Sequence, residues 1–326
     1  MPDATPEPIR SEQPIVSIGM PVYNGGDYLR AAIESVIDQK FNNWELIISD
    51  NASTDGTEAV CREFAAQDER ISYIRQTENL GAGPNFKACF EPAKGKFFAW
   101  LSADDLLGQE FVLKCVELLD ENDDAVAAYT HAMKIDATGN ELGIYDAAES
   151  VHNRASHVRA HRYKELLLGY PAVIIFSMMR RELLATTPVM SSNVGGDRIL
   201  VSEMGLHGRF LQVPDVQFYR RVHEDQYSWK ATTAEERRVW FGGANAKGGF
   251  LTEFRRFGDH VESFRRVDMP RSERGKCRRI LLSSFGFHML KSQVGLSLRN
   301  LTLKLGKLTG KDLDLYRWMQ RNQQSN

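Results

Sequence analysis

The sequence is short of cysteine and has no long apolar run, and each shortage narrows its reading. Its four cysteines, Cys61, Cys89, Cys115 and Cys277, are scattered, with no Cys-x-x-Cys pair and no histidines at zinc-ligand spacing. That leaves no basis for a disulfide framework or a structural zinc site and fits a reducing, cytoplasmic setting. The longest apolar stretch, Pro171–Met179, falls well short of the ~20 residues a spanning helix needs. Any membrane contact is therefore expected to be peripheral, at the inner face. The opening residues, MPDATPEPIRSEQP, lack the basic and then apolar regions of a secretion signal and read as a loose tail over 1–14. No internal repeat or low-complexity tract is evident.

What is present is enough apolar residue for a large core: 42% of 326 positions. The net charge of -2 conceals a split, because residues 230–326 hold 20 of the 41 Lys and Arg but 9 of the 43 Asp and Glu. Such asymmetry suits an acidic, cation-binding region joined to a basic part that meets phosphates, an anionic membrane or a partner. The basic charges are spread over several predicted helices without a nucleic-acid-binding motif, so no nucleic-acid role is expected.

From Ile15 to Tyr129 the runs IVSIGM, WELIIS, ISYIR, FFAWLS and AVAAYT read as strands, separated by helical patterns near 27–39, 57–67, 84–91 and 109–121. This alternation predicts an α/β fold: right-handed crossovers building a Rossmann-like, mainly parallel sheet flanked by helices. Ligands then bind beyond the carboxyl ends of the strands, where PVYN, DNASTDGT and SADD lie. Past Thr130 the pattern predicts a hairpin near 132–145, a buried strand at 172–178, a helix from about 198 to 206 and a strand near 210–220. From Ala234 onward it reads as helices interrupted by Gly and Pro.

The first loop, Pro21-Val22-Tyr23-Asn24-Gly25-Gly26, leaves a buried strand and opens a helix. Its N–H groups and glycines suit a phosphate, or serve an ordinary turn capped by Asn24. In the second, Ser49–Thr57, Asp55 suits an N-cap, whereas Asp50 ends a strand and can accept hydrogen bonds from a base or ribose. The third, Asn79–Asn85, has glycines for tight turns and Pro84 to pre-set a helical turn. The fourth, Trp100–Asp105, ends an apolar strand in adjacent carboxylates Asp104 and Asp105. Their repulsion calls for a cation or donors, and hard oxygen ligands suit Mg²⁺ or Mn²⁺ shared with substrate phosphates; capping the next helix is the plainer role.

In that order and at those separations, PVYNGGDYLRAAIESVIDQ, WELIISDNASTDGT, NLGAGPNF and LSADD resemble the family 2 glycosyltransferases of the GT-A fold, over roughly residues 15–225. The resemblance implies a catalytic domain over 15–229, with the nucleotide-sugar side at 15–130 and the acceptor side at 131–229, followed by a basic helical region over 230–326. It implies an inverting transferase of hexosyltransferase type, using a UDP-sugar as first guess and a glycan or lipid-linked acceptor in cell-surface polysaccharide synthesis. Pro21, Val22, Tyr23, Asn24 and Asp50 would then form the base pocket, and Asn79, Gly83 and Asn85 more of the nucleotide surface. Asp104 takes the ribose or metal side, and Asp105 is expected as the direct metal ligand. Many relatives carry Asp where Ser102 stands.

Beyond these lies Gly195-Gly196-Asp197-Arg198, where the resemblance makes Asp197 the general base. An acceptor hydroxyl needs such a group to take its proton as it attacks the anomeric carbon. Capping the following helix is its other reading. His223 completes the metal or diphosphate site, with Arg220 and Arg221 as tentative phosphate partners, unless Arg-Arg-Val-His is a solvated strand edge. Two other readings compete. A sugar-phosphate nucleotidyltransferase would show a Gly-rich, Lys/Arg-containing loop after the first strand, which PVYNGG does not. A silent nucleotide-sugar scaffold would have no need of Asp104, Asp105 and Asp197 together.

Overall fold

The computed structural model describes residues 13–145, 151–169, 172–224, 226, 233–243 and 252–286. Strands β1 (Val16–Val22), β2 (Trp44–Asp50), β3 (Ile71–Arg75) and β4 (Phe97–Trp100) run parallel, in the spatial order β3-β2-β1-β4. Helices α1 (Leu29–Ile37), α2 (Thr57–Gln67) and α3 (Ala82–Phe90) make the crossovers. β1, β2 and β4 are buried almost throughout, because helices cover both sheet faces, which is why they read as unbroken apolar runs. Leu29, Ala32, Ile33 and Val36 place α1 on the face lined by Ile18, Leu46 and Ile48; Ile47, Phe98 and Trp100 point to the other face with Cys89 of α3. The pleat's two-residue period makes that division.

After β5 (Leu106–Leu107) and α4 (Phe111–Asp120) come the long β6 (Ala125–Ile135) and β7 (Glu141–Tyr145), which form the expected hairpin. α5 (Val151–Arg154) and α6 (Arg159–Leu168) lead to β8 (Met178–Arg180), which runs antiparallel between β4 and β6. α7 (Arg181–Leu184) and α8 (Gly196–His207) precede β9 (Arg209–Arg221), which is parallel to β6 and carries β5 on its outer edge. Among the described residues all nine strands form one sheet.

The buried strand expected at 172–178 is instead a 3₁₀ helix, Ala172–Phe176, followed by the short β8. Val173, Ile174 and Ile175 are all buried, so the run carries no period to separate strand from helix. The expected tail is largely outside the described residues, as is all of the chain beyond 286.

α9 (Ala234–Gly242) and α10 (Thr252–Arg266), which the sequence reading grouped with the C-terminal region, belong to the compact unit Met1–Glu273; Arg274–Asn326 forms a second unit. α10 is tied to α8 by Arg266, whose guanidinium meets the fully buried Glu203 carboxylate at 2.6 Å. Beside that pair His260 is buried, with Nδ1 3.4 Å from Ser202 Oγ and its ring edge-on to Tyr163. Burial, with Arg256 and Arg198 near by, pushes its pKa down to about 4. A depressed histidine pKa means that the unfolded chain binds the proton first. Stability is then whole above about pH 6.5 and falls as pH drops toward 4, by up to about 3 kcal/mol. His260→Gln is expected to flatten that part of a melting-temperature profile; an acid limb equal to wild type would refute the assignment. Among the described residues no helix is long and apolar enough to cross a membrane.

Candidate active site

The carboxyl ends of β1, β2 and β4 open on the same edge, and their loops are fastened to one another. Asn24 adopts a left-handed φ of 51°, its N–H donates to Ser53 Oγ (2.8 Å), and its Oδ1 accepts from Thr54 N (2.9 Å). Gly25 N donates to Thr57 Oγ1 and Gly26 N to Asp55 Oδ2. Asp55 also accepts from Thr57 N, and the helix itself is capped at Gly56, so Asp55 joins two loops as well as opening α2.

Asp50 is wholly buried: Oδ1 accepts from Ser53 N, and Oδ2 from Tyr73 Oη (2.7 Å) and Arg75 Nη1 (2.8 Å). Asn85 donates to the carbonyls of Ser49 and Val22 and accepts from Ser49 Oγ, which locks the ends of β1 and β2 together. Asn79 Oδ1 accepts from Asn51 Nδ2 and Gly81 N. The side-chain polar groups of Asn79 and Asn85 thus shape the loops from within, while Tyr23 is 48% exposed and half-buried Pro21 lies at the opening. At Gly83 an added Cβ would come within 2.8 Å of the Ser191 carbonyl and 3.1 Å of that of Phe241. Only glycine lets the start of α3 sit this close to the loop that leads to α8.

At the end of β4 the two carboxylates part company. Asp104 keeps 29% of its side chain exposed, and its Oδ2 lies 3.2 Å from Nε2 of His223, which is 9% exposed. Gln226 Nε2 is 3.4 Å from the same oxygen. Asp105 turns inward, where Oδ1 accepts the Arg221 N–H at 2.9 Å. Burial and then the neighbouring Asp104 raise its pKa well above the usual carboxylate range, against the opposing pull of that N–H, Arg220 and Arg221. The β5–β9 register makes this arrangement: Leu106 pairs with Tyr219, which brings the residues before β5 alongside Arg220 and Arg221.

Arg221 is buried; it donates to the carbonyls of Asp104, Asp136 and Ala137, and its guanidinium lies 4.7 Å over the Tyr28 ring. Its charge is committed to the scaffold. Tyr28, which the sequence reading did not select, also packs at a tilt on His223 with ring centroids 4.6 Å apart, so it links the first loop to the partner of Asp104. Arg220 lies over Tyr145 on the other side of β9.

Asp197 stands in the first turn of α8, after Gly195 at φ 86°, is partly buried, and has no hydrogen-bond partner among the described residues. No side-chain cap closes α8, so Asp197 is free of the capping duty that was its plainer reading. Its loop packs on Gly83 and Phe241: an added Cβ at Gly196 would meet the Ser191 carbonyl at 2.7 Å and the Phe241 ring at 3.2 Å.

A carboxylate and an imidazole nitrogen 3.2 Å apart, the carboxylate 29% exposed, are a fitting donor pair for a divalent metal. His223 Nδ1 is buried without a partner. Among the described residues no three His, Cys, Asp or Glu side chains gather at one point, so substrate oxygens and water would have to complete the coordination.

The sequence model of glycosyl transferase family 2 matches residues 17–186, more than half of the chain. The chain belongs to that family. Among curated relatives, TuaG of Bacillus subtilis, a glycosyltransferase named for teichuronic acid biosynthesis, is 37% identical over 109 residues, 33% of this chain and 43% of its own. The uncharacterized glycosyltransferase MJ1057 of Methanocaldococcus jannaschii is 27% identical over 174 residues, 53% of this chain and 59% of its own. The chain thus spans less than two thirds of the length of these relatives. Among solved structures, S. aureus TarS 1-349 in complex with UDP-GlcNAc matches with a TM-score of 0.57 at 15% identity, over 82% of this chain and 70% of that one. The fold is of the GT-A type found in family 2. Against the expectation that Asp105 is the direct metal ligand, the family motif here presents Asp104 to the opening and turns Asp105 into the sheet, because Asp105 follows the β9 backbone.

Proposed function

We propose that the protein is an inverting, metal-dependent glycosyltransferase that moves a sugar from a nucleoside diphosphate donor to a hydroxyl of a glycan or lipid-linked acceptor. The observation that carries this is the Asp104–His223 pair, 3.2 Å apart, with His223 packed against Tyr28 after the first loop. A bound divalent ion would neutralise the charge developing on the leaving diphosphate. The imidazole in its donor set favours Mn²⁺ over Mg²⁺, which prefers oxygen alone.

The protein residues do the rest. Tyr23, Pro21 and the loops anchored by Asp50, Asn79 and Asn85 receive the base and ribose. Asp197 accepts the proton of the acceptor hydroxyl while that oxygen bonds to the anomeric carbon and the bond from that carbon to the diphosphate breaks. One displacement inverts the anomeric centre. UDP is the first nucleotide to test, in keeping with the ligand of the TarS structure. The basic residues of 230–326 are assigned to an anionic membrane face or a partner.

Purified full-length protein, incubated with a panel of nucleotide-sugars and Mn²⁺, is expected to release nucleoside diphosphate and to stop when the metal is chelated. Donor binding and turnover that are indifferent to chelation would overturn the metal assignment. Absence of turnover across the panel with acceptors present would overturn the enzyme.

A further inference from the structure

On the acceptor side of the sheet two cations have no ion-pair partner among the described residues. Lys134 on β6 and Arg220 on β9 are register partners, which sets like charges side by side at one strand spacing. Both flank the ring of Tyr145 at the end of β7, with Lys134 Nζ 5.4 Å and the Arg220 guanidinium 5.1 Å from its centroid. Among the described residues neither is in an ion pair, and Arg220 Nη1 is buried with no hydrogen-bond partner.

Several other cations in this acid-rich part of the chain behave differently. Arg30, Lys40, Arg62, Lys96, Lys114 and Arg209 each meet a carboxylate. Two acids near Lys134 and Arg220 already have partners. Asp136 accepts from Thr138 and Asn140, which hold its pKa far down. Asp105 accepts the Arg221 N–H at 2.9 Å. A ring quadrupole offsets part of the repulsion between two cations but leaves their N–H donors unfilled.

Resting on the transferase reading, we infer that Lys134, Arg220 and Tyr145 form a subsite for a phosphate carried by the acceptor. A guanidinium fork and an ammonium beside one ring supply donors of the kind a phosphate takes, and its charge relieves the repulsion. The β5–β9 register continued by one residue sets Asp105 opposite Arg220, so the subsite lies one strand from the acidic pair. The phosphate then holds the acceptor's charged part. Arg220 accordingly serves the acceptor, where the sequence reading gave it to the donor diphosphate.

The test is calorimetric titration of the full chain, loaded with UDP and Mn²⁺, with glycerol 3-phosphate and with phosphatidylglycerol vesicles. Methyl glucoside and phosphatidylcholine vesicles are the neutral controls. Lys134→Gln/Arg220→Gln is expected to bind the phosphate probe about tenfold more weakly, with UDP affinity unchanged and Lys134→Arg/Arg220→Lys restoring it. A loss confined to glycerol 3-phosphate assigns the phosphate to a soluble acceptor, and one confined to vesicles to a lipid-borne acceptor. Because UDP titration reads the donor side separately, failure there counts against the transferase reading and not the subsite. Should Arg220→Gln melt early, Lys134→Gln alone carries the comparison. Equal binding of every probe by wild type and variants, or equal binding of neutral and anionic probes, overturns the subsite.

Discussion

Asp104→Asn is expected to lower the transfer rate about a thousandfold, a loss of roughly 4 kcal/mol of transition-state stabilisation. The substitution keeps the size of the side chain and its hydrogen bond to His223, but removes the charge that would share a metal with that imidazole. The concentration of Mn²⁺ giving half-maximal rate should rise together with the fall in kcat, since the lost group acts on metal and leaving diphosphate alike. Initial rates across a Mn²⁺ series measure both. A variant within tenfold of wild type at every Mn²⁺ concentration would show that Asp104 is not a ligand. Asp105→Asn makes the contrast: its amide oxygen still accepts the Arg221 N–H, and a buried carboxyl is neutralised, so the effect should fall on stability more than on metal response.

The second large effect belongs to Asp197. Asp197→Asn is expected to lower kcat by about 10²–10⁴, the range a positioned proton acceptor contributes, with the donor KM within about twofold of wild type. The reason is positional. Asp197 lies in the first turn of α8, and the loop before it packs against the start of α3, but no described hydrogen bond links it to the nucleotide loops. UDP titration and single-turnover rates separate the two quantities. If kcat held while the donor KM rose, Asp197 would be a donor-binding residue. If both held, it would be only a surface carboxylate at a helix start.

Much of the fold could be read from the chain because its strands are covered on both faces. β1, β2 and β4 appear as short apolar runs, and Leu29, Ala32, Ile33 and Val36 repeat at helical spacing. The four loops that carry the chemistry follow those strands directly, so finding the strand ends found the loops. One apolar run was misread: Ala172–Phe176 is apolar at every position, shows no period, and folds as a 3₁₀ helix. The grouping of α9 and α10 with the C-terminal region rested on charge, whereas packing follows partners such as Arg266 and Glu203, 63 residues apart.

The Asp104-Asp105 pair shows where each source of information ends. By itself the sequence determined that two carboxylates end an apolar strand, fourth in an ordered series of loops, with Asp197 and His223 farther on. It also determined the family, since local patterns of short strands, turns and acids are recorded in consecutive residues. Only the tertiary structure decided which carboxylate stays exposed, that His223 meets it across 119 positions, and that Tyr28 packs on that imidazole. It also decided that Arg221 spends its donors on backbone carbonyls while Arg220 leaves one unfilled. Adjacent residues at a strand end share a spacing but not a direction. Which of them turns to solvent depends on the register of β5 against β9, a pairing more than a hundred residues long that no local pattern encodes.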